Sequence, residues 1–205
     1  MKTNRICLSA ALAAAALGVP MGALAQDTPW LVRVRAVYLD MANKDSTGLD
    51  LSLNNKLIPE VDISYFFTPS LAAELILTYP QKHTIRAGGS EIGSLKHLPP
   101  TLTLQYHFGG LGPFKPYVGA GINYTRFSSV KFDPAVQAAL QPSIEKSSVG
   151  FAVQAGVDYA LAKGVSLNFD VKKIQIRTDV MSAGTKVGEF KADPWLVGAG
   201  VGWQF

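Results

Sequence analysis

Apolar and polar side chains alternate with a period of two along this chain, and the pattern recurs in eight segments. In the segment 101–108, for example, every second residue from Leu102 to Phe108 is apolar. Such alternation predicts β-strands whose two faces meet different surroundings. The predicted strands are 30–40, 58–67, 72–79, 101–108, 117–127, 148–159, 165–172 and 195–205.

The N-terminus has the pattern of a secretory signal peptide. Lys2 and Arg5 precede an apolar run rich in Ala and Leu, and the Ala-Leu-Ala triplet 23–25 fits a cleavage site. We therefore expect residues 1–25 to be removed and residues 26–205 to form one exported domain.

The alternative for this N-terminal run is a membrane anchor helix. Pro20 breaks it before the 18 or more apolar residues that a span needs, and no later segment reaches that length. The single cysteine, Cys7, lies within the predicted signal peptide. The exported domain therefore has no disulfide and must obtain its stability in another way.

The connections between the predicted strands alternate in length. Those at 68–70, 109–115 and 160–164 are short, and those at 41–57, 80–98, 128–147 and 177–192 are long. An even number of strands with short turns at one end and long loops at the other is typical of outer-membrane barrels, whose long loops face outward. Asp133-Pro134 also predicts a helical turn within the third long connection.

One face of each predicted strand is apolar and has aromatic residues at its ends, as Trp30 and Tyr38 illustrate. The opposite face mixes charges, amides and glycines. Lipid contact favours the apolar face outward, because a charge facing lipid at mid-depth costs about 2–4 kcal/mol. The sequence therefore predicts an all-β protein, an eight-stranded antiparallel transmembrane β-barrel in the outer membrane of a Gram-negative bacterium.

Charge and composition exclude other classes of protein. Lys and Arg number 19 and Asp and Glu number 15, a net charge of +4 that is not clustered, so we expect no nucleic-acid partner. His83, His97 and His107 lack the spacing of zinc ligands, and we predict neither a metal nor a cofactor. Since no nucleophile–base pair is evident either, we expect no enzyme activity.

Five stretches of the chain resemble the OmpW family of outer-membrane proteins: HLPPT at 97–101, KPYVGAGINYT at 115–125, GVDY at 156–159, DPW at 193–195 and the terminal Phe205. The resemblance extends over essentially all of the exported domain. It implies an eight-stranded barrel around a narrow, largely apolar channel, associated with the passage of small hydrophobic molecules across the outer membrane.

Charged residues on the inward faces are predicted to meet in the lumen. Pairing the first two strands brings Arg33 and Arg35 close to Asp62 and Ser64, and pairing the next two sets Glu74 opposite Ser64. One interpretation is a selectivity filter or a general acid–base pair. We favour a structural ion network that plugs a tight barrel and blocks the free flow of water.

Inward-facing apolar residues gather near the outer end of the predicted barrel, and we predict that they line a path for a hydrophobic ligand: Val37, Leu39, Ile58, Ile76, Phe127 and Leu196. Pro59, Pro99 and Pro100 lie nearby and lack the N–H that a strand ladder needs. They predict a lateral opening in the barrel wall, although prolines that simply end a strand would give the same pattern.

Two functions from different classes remain. The first is a narrow channel for small hydrophobic molecules, and the second is a structural or surface-interaction barrel with a plugged lumen. The expected partners are outer-membrane lipid, small hydrophobic solutes and the barrel-insertion machinery. Phe205 ends an outward-facing set with Val201 and Trp203, a register that resembles the assembly signal which this machinery reads.

Overall fold

A computed structural model of the protein describes residues 28–205. The predicted signal peptide, residues 1–25, lies outside the described residues. In chain order the elements are β1 (Trp30–Asp40), β2 (Lys44–Asp45), β3 (Leu51–Leu53), β4 (Lys56–Thr68), β5 (Leu71–Leu77), β6 (Gln81–Ala87), β7 (Ser90–Leu98), β8 (Thr101–His107), β9 (Phe114–Phe132), α1 (Pro134–Leu140), β10 (Pro142–Ile144), β11 (Ser147–Ala162), β12 (Val165–Ile174), β13 (Arg177–Ser182), β14 (Thr185–Lys191) and β15 (Trp195–Gln204).

Eight of these strands close into an antiparallel barrel in the order β1, β4, β5, β8, β9, β11, β12 and β15. The last strand pairs with the first, for example Val201 with Val34, so the barrel has no free edge. This confirms the predicted fold class. Within residues 28–205, no helix is long and apolar enough to cross a membrane.

The outward faces of the barrel strands carry exposed apolar side chains, as the alternation predicts. Aromatic residues cluster near both ends of the strands. Trp30 and Tyr65, for example, meet edge to face at 4.9 Å between ring centroids at the end with short turns. Tyr38, Tyr79, Tyr124 and Trp195 are exposed near the other end, here called the outer end. These rings mark the two membrane interfaces.

The long connections are not the irregular loops that the sequence predicts. β6 and β7 form a hairpin that continues the wall of β9 beyond the membrane, and β3 adds a strand to it. The elements β10, β13, β14 and β2 form a separate sheet. These strands were not predicted because their outward faces contact water and therefore lack the every-second-residue apolar pattern of the barrel strands. Helix α1 does begin at the predicted position, with Pro134 in its first turn.

Glycines on the inward face of β15 let the wall fit closely against its neighbours. A Cβ atom on Gly200 would lie 2.0 Å from the carbonyl oxygen of Val34 and 2.7 Å from the Cα atom of Arg35. Both are backbone atoms that cannot rotate away. Only glycine fits at this position without moving β1.

We predict that Gly200→Ala lowers the free energy of unfolding by about 1–3 kcal/mol, because the added methyl group forces the backbones of β1 and β15 apart. Gly109→Ala is the matched control, since a Cβ atom there meets nothing within 4 Å. Urea titration of the refolded barrel, followed by tryptophan fluorescence, measures both changes. Equal midpoints for the two variants would contradict the prediction.

Candidate functional site

The middle of the lumen is filled by buried ion pairs, the first of which centre on Arg33. Its Nη1 atom lies 2.5 Å from Glu74 Oε2 and its Nη2 atom lies 2.6 Å from Asp158 Oδ2. The hydroxyl of Ser64 also donates to Glu74 at 2.9 Å. Ser64 lies opposite Glu74 in the β4–β5 register, as the strand pairing predicts.

Arg35 is the second centre of the network. Its Nη2 atom lies 2.6 Å from Asp62 Oδ2 and 3.1 Å from Glu60 Oε1. Lys172 reaches across from β12 and bridges Glu60 at 2.6 Å and Asp170 at 3.0 Å. The structure therefore brings Arg33, Arg35, Asp62 and Glu74 into one network, as the sequence suggests.

The network also includes four residues that were not predicted to belong to it: Glu60, Asp158, Asp170 and Lys172. Asp158, Asp170 and Lys172 lie on β11 and β12, which the closed barrel brings opposite Arg33 and Arg35. Their inward-facing positions were visible in the alternation. The contacts of these three residues across the lumen depend on barrel closure and cannot be obtained by pairing sequence neighbours. Glu60 is different, because it lies opposite Arg35 in the β1–β4 register and strand pairing alone could have placed it there.

Over residues 28–205 the network contains three cations and five carboxylates. Neutral side chains donate further hydrogen bonds to the carboxylates: Gln105 and Gln154 to Glu74 Oε1 at 2.6 and 3.2 Å, Asn168 to Asp158 Oδ1 at 2.9 Å, and Tyr117 to Asp170 Oδ2 at 2.9 Å. These donors compensate buried negative charge that has too few cations. The network forms a polar plug across the lumen.

Above the plug lies an apolar layer that contains the predicted ligand path. Val37, Leu39, Ile58, Phe127 and Leu196 are at most 5% exposed and belong to one hydrophobic cluster. Ile76 is also buried and, with Leu39, Ile58 and Leu196, lines a small cavity of about 10 Å³. We call this the inner cavity. It has room for about one water molecule.

A larger cavity of about 70 Å³, here called the outer cavity, lies among the long connections. Its lining is apolar except for Ser52 and Thr178. Leu49 and Leu140 line it and remain 45% exposed, so it opens to the outside. This cavity was not predicted, because its walls come from connections whose packing against one another leaves no pattern in the sequence.

The barrel wall is interrupted beside the inner cavity. The ladder between β5 and β8 extends only to the pair Ile76 and Thr101. Pro99 and Pro100 come directly before Thr101 in the chain and therefore lie just beyond the end of this ladder. Thr78, just beyond β5, donates its hydroxyl to the carbonyl of Pro59 on β4 at 2.7 Å. Thr78 and Pro99 both line the inner cavity. The three predicted prolines therefore lie around the point where the β5–β8 ladder stops, with Pro59 on β4 and Pro99 and Pro100 just before β8. We call this interruption the proline gap.

Asn123 of β9 satisfies the carbonyl groups at this gap. Its amide donates to the carbonyls of Pro99 at 3.1 Å and Pro100 at 3.2 Å, and to the hydroxyl of Thr101 at 2.8 Å. Asn123 is fully buried. The backbone N–H of Tyr124 also donates to the carbonyl of Pro100, so the carbonyls of both prolines have donors on the β9 side. Toward β5 the prolines have no N–H to offer, and the ladder stops there.

The model of the OmpW family matches residues 31–205. Over 196 residues the chain is 44% identical to the uncharacterized outer-membrane protein y4mB of Sinorhizobium fredii, with 90% of this chain and 83% of that protein covered. The chain belongs to the OmpW family.

Two further matches extend over similar lengths. The crystal structure of the outer membrane protein OprG from Pseudomonas aeruginosa superposes with a TM-score of 0.75 at 24% identity, covering 86% of this chain and 95% of that one. A dibenzothiophene metabolism operon protein, PahQ of Pseudomonas aeruginosa, is 27% identical over 199 residues, covering 88% of this chain and 90% of that protein. This OmpW-family barrel is an outer-membrane protein, in agreement with the predicted localisation.

Two histidine rings of this OmpW-family barrel contact each other above the proline gap. The rings of His83 and His97 are 4.7 Å apart between centroids, and both side chains are buried. Burial, with a smaller contribution from His83, lowers the pKa of His97 from 6.5 to about 3. Burial lowers the pKa of His83 as well. Both rings are therefore neutral at pH 7 and add no charge to the apolar layer.

His107 and Phe205 are the remaining residues that the sequence singles out. His107 lies in the lower lumen, stacked on Tyr117 at 4.9 Å. Among residues 28–205, no group of three or more His, Cys, Asp or Glu side chains could hold a metal ion. Phe205 is exposed, and its N–H donates to the carbonyl of Trp30 at the seam between β15 and β1. Its role as an assembly signal stays a prediction.

We predict that Arg33→Met destabilises the barrel by about 3–5 kcal/mol, because Glu74 and Asp158 would lose a fully buried cation. Lys186→Met is the matched control, since Lys186 pairs with Asp179 at the surface. Urea unfolding in detergent micelles compares the two with the unsubstituted protein. A smaller loss for Arg33→Met than for Lys186→Met would disprove a structural role for the plug.

Proposed function

We propose that this protein takes up small hydrophobic molecules from outside and releases them sideways into the lipid of the outer membrane. The observation that carries the proposal is the position of the wall gap. It lies beside the inner cavity, in the apolar layer and above the charged plug. A solute that reaches this layer meets the gap before it meets the network.

The outer cavity provides an apolar entry site for such a solute. Its volume of about 70 Å³ corresponds to roughly five water molecules. Each methylene group that leaves water there contributes about 0.8 kcal/mol. The apolar cluster that begins in its wall, at Leu51 and Leu53, continues to Leu39 and Leu196 at the inner cavity. Packed side chains separate the two cavities, so passage requires them to move.

Continued movement along the barrel axis is unfavourable. Below the inner cavity the solute would have to displace Arg35, Glu60 and Lys172, which are at most 3% exposed and paired with one another. Separating such pairs leaves buried charges without partners. Lipid beyond the gap offers an apolar environment without this cost. A lateral exit at Pro59, Pro99 and Pro100 is therefore favoured.

The relative PahQ supports the solute class, because its name connects it with the metabolism of an apolar aromatic compound, dibenzothiophene. The competing function is a structural or surface-interaction barrel without transport. The filled lumen favours that alternative, whereas the two cavities and the wall gap favour transport. Measuring solute entry decides between them.

We predict that Leu196→Asp abolishes uptake of naphthalene, because a carboxylate in the apolar layer takes away the favourable burial of the solute. Lys172 lies opposite Leu196 in the β12–β15 register but already bridges Glu60 and Asp170, so heat-modifiable migration on gels is used to verify that Leu196→Asp is folded. Leu196→Met is the volume-conserving control. Naphthalene accumulation is measured in cells that express each variant.

Unchanged accumulation in the folded Leu196→Asp variant would exclude the apolar path. A matched substitution within the plug, Glu74→Gln, should affect uptake far less, provided that the barrel remains heat-modifiable on gels. If Glu74→Gln stops uptake and Leu196→Asp does not, the solute passes through the charged lumen.

The lateral exit is tested by linking the two sides of the gap. In Thr78→Cys/Pro99→Cys, a short bis-maleimide cross-linker should close the gap and stop naphthalene uptake, because both residues line the inner cavity there. The control is Leu75→Cys/Leu102→Cys, which joins a strand pair that is already closed by the ladder. Both proteins fold before the linker is added. Equal uptake by the two linked proteins would exclude this exit.

A further inference from the structure

The outer surface above the aromatic residues is positively charged on one side of the barrel. Lys82 on β6, Lys96 on β7, and Arg126 and Lys131 on β9 have exposed side chains on the outward face of the hairpin wall. We call these four residues the basic face. The β6–β7 register places Lys82 directly opposite Lys96.

Within residues 28–205, none of the four forms an ion pair with a carboxylate. Like charges directly opposite each other in an antiparallel pair are destabilising. Two lysines of the separate outer sheet are neutralised, Lys186 by Asp179 at 2.6 Å and Lys191 by Glu189 at 3.1 Å. The repulsion between the side chains of Lys82 and Lys96 is therefore not reduced by an ion pair with any carboxylate of residues 28–205.

The position of the basic face relative to the membrane indicates which chemical group can neutralise its charge. Arg126 follows the interfacial Tyr124 by two residues on the same strand face, which corresponds to about 7 Å along the strand. Its partner across the ladder is Leu98, next to the proline gap. The four cations thus begin where the lipid-facing surface ends, at the depth of the lipid headgroups.

We propose that the basic face binds the phosphate groups of lipids in the outer leaflet. Its charge is complementary to phosphate, and it is continuous with the lipid-facing surface, so a lipid that contacts Leu98 and Leu102 already has its headgroup beside these cations. A headgroup with two phosphates neutralises Lys82 and Lys96 together. This binding site is independent of the uptake route.

The test uses a double variant, Lys82→Gln/Lys96→Gln, and a matched control, Lys186→Gln/Lys191→Gln, with the same change in net charge. Lipid A, a diphosphorylated glycolipid, is titrated into each barrel in zwitterionic micelles, and native mass spectrometry counts the barrels that carry it. Two basic residues at an anionic lipid surface correspond to about 30-fold in affinity, so we expect about 30-fold weaker binding by the first variant. The control should bind like the unsubstituted protein.

A second measurement separates lipid binding from a structural role. In micelles without lipid A, Lys82→Gln/Lys96→Gln should be at least as stable to urea as the unsubstituted protein, because a repulsion is removed. Loss of stability there, equal lipid A affinity in both variants, or equal affinity of the unsubstituted protein for lipid A and its dephosphorylated form would each overturn the proposal. Inorganic phosphate at the same concentration should not displace the lipid.

Discussion

The backbone hydrogen-bond ladder of this protein must close on itself because the strands cross lipid. The hydrocarbon region has no water to satisfy a free N–H or C=O, so the eight strands must form a ring without an edge. A ring of eight strands leaves an interior that side chains can fill. The polar faces of the strands therefore meet inside the barrel, where Arg33, Arg35 and their carboxylate partners are almost completely shielded from bulk water.

The proline gap is where this constraint is relaxed. The ladder between β5 and β8 ends at Ile76 and Thr101, and beyond it the side chains of Thr78 and Asn123 donate to the carbonyls of Pro59 and Pro99. Side chains can release such bonds by rotating, whereas opening a ladder separates two strands. An interruption at the outer edge of the lipid layer, beside an apolar cavity, is consistent with a route into the membrane rather than through the barrel.

The distribution of charge divides the protein into three levels. The lumen at membrane depth is charged and plugged, the layer above it is apolar and includes two neutral histidines, and the outward face of the hairpin wall is basic. In the low-dielectric surroundings of the first level, each buried charge is stabilised only by its ion-pair and hydrogen-bond partners, so separating them is costly. Solvent and headgroups permit unpaired cations on the outward face, such as Lys82 and Lys96.

The barrel could be predicted from the amino-acid sequence. Alternation fixes which side chains face lipid, and adjacent strands joined by a short turn fix their own register, so Glu74 could be placed beside Ser64. Five of the six predicted path residues share one cluster for the same reason. Tertiary structure alone decided the contacts across the lumen, such as Arg33 with Asp158, and the outer cavity. Both depend on residues that are far apart in sequence. Ring closure and the packing of the connections bring these residues together, and neither leaves a periodic pattern in the sequence.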